Sequence, residues 1–366
     1  MSGRKIIKRL GLILLFPMGL FGQDLTELTT LNSTINETSG LIYLNEKLIT
    51  HNDSGGEAAL YEIDTLTGAI NRKVVIENAQ NSDWEDICFD DTYIYIGDFG
   101  NNSGARTDLK IYRIAISDYM STTNDTVSSE TIQFSYADQV DYTPTSNASN
   151  FDAEALISFE DKLYIFTKNW NDYQSNVYAL SKTPGTYQID KTGHLTTQGL
   201  ITGATFNTTT NTLLLSGYLF SAFVIEIHSF TNDQFSSGTM DKYAIQPTGS
   251  FQIESITPLN EKQYYLSSEE NSSGASKLYR LKSKNYLAVS DPNPFSAELV
   301  YPNPATNQIR INSSGLIRVD FFDFRGARVK TANSHEIDLS DLEAGVYMLK
   351  IWKDNQQTDF AKLIKH

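Results

Sequence analysis

Basic residues are scarce in this chain of 366 residues: Lys and Arg total 29 against 44 Asp and Glu, a net charge of −15. Non-specific nucleic-acid binding rests on basic surface that neutralises phosphates, so this balance argues against it. Cysteine is scarcer still. Cys88 stands alone, which excludes a disulfide within the chain and a zinc site built on cysteine. Proline is held to 9 residues and histidine to 5. The sequence has no G-x-S-x-G elbow, no P-loop and no H-E-x-x-H. Beyond Phe21 no apolar run is long enough for a transmembrane helix, so none is expected in the mature chain. What is plentiful is Tyr (20) and Phe (19), set among β-branched residues and polar turn formers, which favours strands over helices.

The beginning of the chain reads as an export signal. Arg4, Lys5, Lys8 and Arg9 precede an apolar run from Leu10 to Phe21, too short to span a bilayer and laid out as a signal peptide over residues 1–22. Cleavage is expected near Gly22–Gln23. No Cys follows the run, which argues against a lipoprotein anchor. Removing the segment takes away four positive charges and no negative one, leaving −19.

The body repeats. Segments beginning at Ser39 (SGLIYLNEKLITHND), Glu85 (EDICFDDTYIYIGDFGNN), Glu154 (EALISFEDKLYIFTKNW), Thr202 (TGATFNTTTNTLLLSGY) and Glu254 (ESITPLNEKQYYLSSEE) share one layout. Each has a polar start, a short apolar strand, an acidic or amide turn, and a second strand of alternating aromatic and aliphatic residues. A third strand follows in each: LYEID at Leu60, IYRI at Ile111, VYAL at Val177, VIEI at Val224 and LYRL at Leu278. Fourth-strand candidates are KVVIEN at Lys73, TIQFSYAD at Thr131, TYQID at Thr186 and KYAIQ at Lys242. The starts are spaced by 46, 69, 48 and 52 residues, which suits propeller blades of ~40–50 residues. The long interval carries an insertion within about 117–150. The last copy lacks a fourth strand, and LTELTTL from Leu25 is expected to supply it and close the ring. The fold class is therefore all-β: a β-propeller of about five blades over residues 23–284, with six as the alternative and a β-sandwich with recurring strands as the competitor.

After Lys284 the composition shifts. Four of the nine prolines lie between Lys284 and Asn307, marking a linker over 285–299, and strand candidates with turns between them then indicate a small β-sandwich over 300–366. The segments YPNPATNQIRI from Tyr301, FDFRGARV from Phe322, IDLSDLEAGVYMLKI from Ile337 and KLIK from Lys362 resemble the type A C-terminal sorting domain of the Bacteroidetes type IX secretion system. That resemblance implies passage across the outer membrane by the type IX machinery and a protein released or displayed on the cell surface. The propeller elements HNDSGG, DWEDI, YIGDFGNN, DAEAL and ITGA look like uncharacterised secreted bacterial propellers related in pattern to NHL-type and phytase-like ones. This likeness implies the fold and no activity.

Topology converts the repeat into a location. In a four-stranded meander the start of the innermost strand and the end of the second lie on one face. The starts bring Glu85, Asp86, Glu154 and Glu254, preceded by Asp83 and Asp152. The ends bring Asn52, Asp53, Asp98, Asn101, Asn102, Lys168, Asn169, Glu269 and Glu270. The expected ligand-binding set at the channel mouth is Asp53, Glu85, Asp86, Asp98, Asn102, Glu154, Lys168, Glu254 and Glu269, with Arg106 and Lys168 partly balancing the charge. Oxygen donors of this kind suit a hard cation such as calcium, for which Glu85, Asp98, Glu154 and Glu254 are the candidate ligands. Three roles follow. The carboxylates accept backbone hydrogen bonds from neighbouring blades and fix the ring; they bind an unidentified ligand or surface partner; or, with calcium, they serve a secreted hydrolase of an ester, lactone or phosphoester. His51 reads as a hydrogen-bonded turn residue and Trp84 as buried packing, while Trp170 lies near the mouth.

Overall fold

A computed structural model describes residues 24–219, 221–247, 252–272, 274–283, 299–323, 328–354 and 358–366. The expected signal segment and most of the linker lie outside the described residues. The chain divides into two compact units, one up to Lys284 and one from Asn285.

The first unit is a ring of five sheets. Blade 1 runs through Thr38–Leu44, Lys47–Asn52, Ala59–Ile63 and Ile70–Ile76, and blade 2 through Trp84–Phe89, Tyr93–Asp98, Lys110–Ala115 and Glu130–Tyr136. Blade 3 comprises Ala153–Phe159, Lys162–Thr167, Ser175–Ser181 and Lys191–Leu195; blade 4 comprises Leu200–Asn207, Thr212–Tyr218, Ala222–His228 and Thr239–Ala244. Blade 5 takes Ile253–Pro258, Gln263–Ser268 and Lys277–Lys282, and its outer strand is Asp24–Thr30 from the other end of the unit, paired antiparallel with Lys277–Lys282. This is the closure expected from Leu25. The innermost strands pack in sequence, blade 1 on 2, 2 on 3, 3 on 4, 4 on 5, and 5 back on 1.

Burial follows from that arrangement. Inner strands are covered on both faces, as in Trp84–Phe89 and Gln263–Ser268, whereas Ile70–Ile76 at a rim is partly exposed, with only Val74 and Ile76 buried. Between each pair of blades lies one apolar layer. Ile42, Leu60, Trp84 and Tyr112 pack between blades 1 and 2, Tyr95, Phe134, Leu156 and Tyr178 between 2 and 3, and Tyr164, Phe166, Leu213 and Phe235 between 3 and 4. Leu214, Val224, Tyr264 and Leu281 pack between 4 and 5, and Leu41, Tyr61, Tyr265 and Leu278 between 5 and 1.

One strand assignment is corrected. TYQID at Thr186 is not the fourth strand of blade 3. Gly185–Ile189 pairs parallel with Glu130–Tyr136 at the rim of blade 2, and Lys191–Leu195 takes the blade 3 position. Its alternating pattern suits either edge, and the short link through Asp190 leaves the next residues to pair with Ser175–Ser181. The insertion also contributes structure. It contains the helix Ile116–Ser121 and the strand Thr126–Val127, which pairs parallel with Ile70–Ile76 of blade 1. Among the described residues no helix is long and apolar enough to cross a membrane.

The second unit is a small two-sheet sandwich. Val300–Tyr301, Gln308–Ile311 and Glu336–Asp338 form one sheet; Arg328–Ala332, Leu316–Phe322, Gly345–Lys353 and Thr358–Lys365 form the other. Val319, Phe321, Leu349, Ile351 and Leu363 fill its core.

Candidate functional site

All five innermost strands break register with their neighbours within their first residues, between Ser39 and Leu41, Trp84 and Ile87, Ala153 and Ala155, Ile201 and Gly203, and Ile253 and Ser255. Such bulges re-aim side chains. Here they set two levels around the channel axis. The outer level holds Ser39, Glu85, Glu154, Thr202 and Glu254. Ser39 Oγ donates to the Glu85 carbonyl and Thr202 Oγ1 to the Ile253 carbonyl, each reaching the next blade. The three glutamates are left to face the channel mouth.

The inner level holds Gly40, Asp86, Ala155, Gly203 and Ser255. Asp86 plugs the axis. Its Oδ2 accepts the amides of Leu156 in blade 3 (2.8 Å) and Ala204 in blade 4 (3.1 Å), and Oδ1 accepts that of Ile87 (2.8 Å). The strands stand close together at this level: a Cβ on Gly40 would stand 2.8 Å from the Ile87 nitrogen of blade 2.

Above the plug, a cavity of about 80 Å³ is lined by Asp53, Glu85, Glu154, Glu254, Glu269, Lys168, Asn102, Ser39, Tyr218 and Gln252. Seven of the nine expected residues therefore meet. Asp86 and Asp98 do not, and both are corrected. Asp86 is consumed by the three amides. Asp98 is fully buried and ion-paired with Arg106 (2.9 Å) and Lys110 (3.3 Å), the latter its direct cross-strand partner, and Oδ1 also accepts the Asp83 amide. The metal set containing Asp98 is not brought together. Sequence reasoning left Ser39, Tyr218 and Gln252 out of the set. Tyr218 ends the second strand of blade 4 and so satisfies the rule that placed the others, but its copy is longer and its end less evident.

Partners separate the buried carboxylates into two groups. Asp152 accepts the Asn101 amide (2.6 Å) and the Trp170 indole N–H (2.8 Å), and Glu154 holds Lys168 at 3.0 Å. Lys168 also lies 5.1 Å from the Trp170 ring centre and 5.6 Å from that of Tyr218. Burial opposes its charge, but Glu154, Tyr218, Glu254 and Asp152 outweigh burial and hold Lys168 above its ordinary range. Glu85 and Glu254 form the other group. They are only 5% and 7% exposed, and among the described residues no hydrogen-bond donor reaches either carboxylate. Asp53 Oδ1 is buried without a partner as well. Burial, reinforced by Glu154, Asp53 and Asp83, pushes Glu85 well above the usual carboxylate range. Burial pushes Glu254 up to about 8 against the pull of Lys168. Asp53 also reaches about 8, through burial and then Asp83, Glu254, Glu269 and Glu37.

His51 stands behind this wall, wholly buried and edge-on to Trp84, with Nδ1 against the Asn52 carbonyl (3.0 Å). Burial lowers it to about 4, so it is neutral. Trp84 is completely buried, its indole N–H donating to the Gln80 carbonyl (3.0 Å).

Fold and site define an all-β protein, a five-bladed propeller with an acidic pocket on its axis, joined to a small sandwich. The sandwich is the identifiable part. Residues 299–366 match the family described as the secretion system C-terminal sorting domain, the type IX signal. The chain is thus an exported cargo of that machinery, bound for the cell surface or released. No curated protein matches the sequence. Solved structures similar to it include the PQQ-bound aldose sugar dehydrogenase of Streptomyces coelicolor (12% identity, 70% of this chain and 97% of that one, TM-score 0.40). A GH43_1 enzyme from Xanthomonas citri is 10% identical over 70% of this chain and 89% of its own (TM-score 0.43). CoXyl43, a GH43 β-xylosidase/α-arabinofuranosidase from a compost microbial metagenome, is 10% identical over 72% and 96% (TM-score 0.42). Identity at this level carries no statement about ligand or chemistry.

Proposed function

We propose that this exported propeller is a binding protein that takes a cationic group into the acidic pocket on its axis. The observation that carries the reading is the pair Glu85 and Glu254, buried at the pocket wall without a donor. A buried carboxylate held only for structure is hydrogen-bonded, as Asp86 and Asp152 are. One left without donors is costly unless a proton or a cation neutralises it, and at pH 8 the proton on Glu254 is readily displaced. Five carboxylates line the pocket against one Lys, and that Lys serves Glu154.

Size narrows the ligand. A cavity of about 80 Å³ has room for a few waters and lies far below the ~300–1,000 Å³ that encloses a drug-sized molecule. The pocket suits an ion, or the ammonium tip of a larger partner whose body stays outside.

Titration calorimetry of the mature chain at pH 8 with calcium, magnesium and methylammonium tests this. One saturable cation site per chain, weakened at least tenfold by Glu254→Gln, is the expected result. No binding of any of these cations at millimolar concentration, or binding indifferent to Glu254→Gln, refutes it. Turnover of an ester, lactone or phosphoester, lost on chelation, would move the reading to the hydrolase.

A further inference from the structure

Trp84 organises its neighbours. Its ring is fully buried, and the residues on either side of it, Asp83 and Glu85, both bring their carboxylates beside Gly100. Their backbone is pinned: the Asp83 carbonyl accepts the amides of Phe99 and Gly100, each at 3.1 Å, and the Trp84 amide reaches the Asp53 carbonyl at 3.3 Å. Asp53, just past the second strand of blade 1, is thereby held against the start of blade 2. One carboxylate oxygen from each of Asp53, Asp83 and Glu85 lies within 4.8 Å of the other two.

We propose that Asp53, Asp83 and Glu85 ligate a hard divalent cation of the calcium class at the blade 1–blade 2 side of the channel mouth. This rests on the cation-binding reading above and names the cation and its ligands. Oxygens bound at ~2.4 Å to one calcium stand at most about 4.8 Å apart, and these three lie within that limit of one another. The donor set is all oxygen, which favours a hard ion, and the adjoining cavity has space for the waters that three protein ligands leave to be added.

Two further observations point to an occupant. Asp83 and Asp53 share a side-chain hydrogen bond, but the Glu85 carboxylate is buried without a donor and Asp53 Oδ1 without a partner, so hydrogen bonds within the fold leave part of the trio's oxygens unused. The cations nearby make their hydrogen bonds elsewhere, Arg106 to Asp98, Asp108 and the Gly100 carbonyl, and Lys168 to Glu154; the Arg106 charge acts on Asp83 through space, where burial still outweighs it. Gly100 shows that the cradle is built at close quarters: a Cβ there would fall 2.1 Å from Glu85 Oε1 and 2.6 Å from Asp83 Oδ2. Any larger residue at position 100 would displace two of the three ligands.

The test is calcium titration of the mature chain at pH 8, with methylammonium alongside, on the wild type and on Glu85→Gln, Asp83→Asn and Gly100→Ala. One calcium per chain, a rise in melting temperature with calcium, and at least tenfold weaker binding in all three variants is the expected result. Each variant's melting temperature in chelator reports whether it folds; because Glu85 has no partner to lose, Glu85→Gln keeps the test usable if another variant does not fold. Methylammonium binding without calcium binding overturns this site and leaves the cation-binding reading standing. Binding of neither overturns both. Calcium binding unchanged in Glu85→Gln and Gly100→Ala overturns the ligand assignment.

Discussion

Glu85 and Asp86 are consecutive acidic residues in one strand, both buried, and they should respond oppositely to mutation. Asp86→Ala strips the acceptor from three amides, those of Ile87, Leu156 and Ala204. A buried donor left unpaired costs about 1–3 kcal/mol, and losing the expense of burying the Asp86 carboxyl returns part of the sum. We expect a net loss of about 3–5 kcal/mol, in the range reserved for disrupted buried networks. Asp86→Asn keeps one acceptor oxygen, which can serve Leu156 and Ala204 together, and should lose only about 1–3 kcal/mol for the Ile87 bond. Glu85→Gln removes no hydrogen bond and relieves a crowded acidic wall, so in chelator at pH 8 its stability should lie within about 1 kcal/mol of wild type, or above it. Urea unfolding of the mature chain, with the denaturant slope unchanged, gives all three values. Equal losses in Glu85→Gln and Asp86→Ala would show that Glu85 holds the ring and would refute the division between structural and ligand-facing carboxylates. A loss below about 1 kcal/mol in Asp86→Ala would refute the bridging role of the plug.

In chelator, stability should fall as pH rises from 6.5 to 8. Glu254, raised to about 8 by burial beside Glu269 and despite Lys168, keeps its proton in the folded state after the unfolded chain has released it. The folded state then binds more protons, and each such group costs about 1.4 kcal/mol per pH unit across that window. His51, lowered to about 4, titrates in the unfolded chain near 6.5 and adds a loss only on the acid side. Asp53, Glu154 and Tyr218 share the pocket with Glu254, so Glu254→Gln should reduce this slope rather than abolish it; an unchanged slope refutes the assignment. Finally, residues 299–366 have an apolar core of their own. Deleting them should leave the propeller's melting temperature unchanged while the protein stays in the periplasm. Wild-type levels at the surface or in the medium would contradict the sorting role, and an unfolded remainder would contradict the independence of the two units.

The sequence by itself determined what depends on contiguous residues. Period-2 alternation marks most of the strands, the recurrence of Ser39, Glu85, Glu154, Thr202 and Glu254 gives five blades, and strand direction alone places their acidic ends at one mouth. The sorting domain was legible for the same reason, because its motifs follow one another over fewer than seventy residues. Tertiary structure decided which acids remain available there. Glu85 and Asp86 are adjacent acidic residues that the sequence does not tell apart in role, and a bulge turns one to the pocket and the other to amides 70 and 118 residues away. Asp98 looked like a ligand until the register set Lys110 opposite it and the following loop brought Arg106 back. Gly185–Ile189 alternates as a fourth strand should, yet joins the blade before its own. In each case the outcome turns on which donor, cation or open sheet edge is nearest in space. Hydrogen bonding and desolvation act over a few ångströms, and in a closed ring those few ångströms join residues a hundred positions apart.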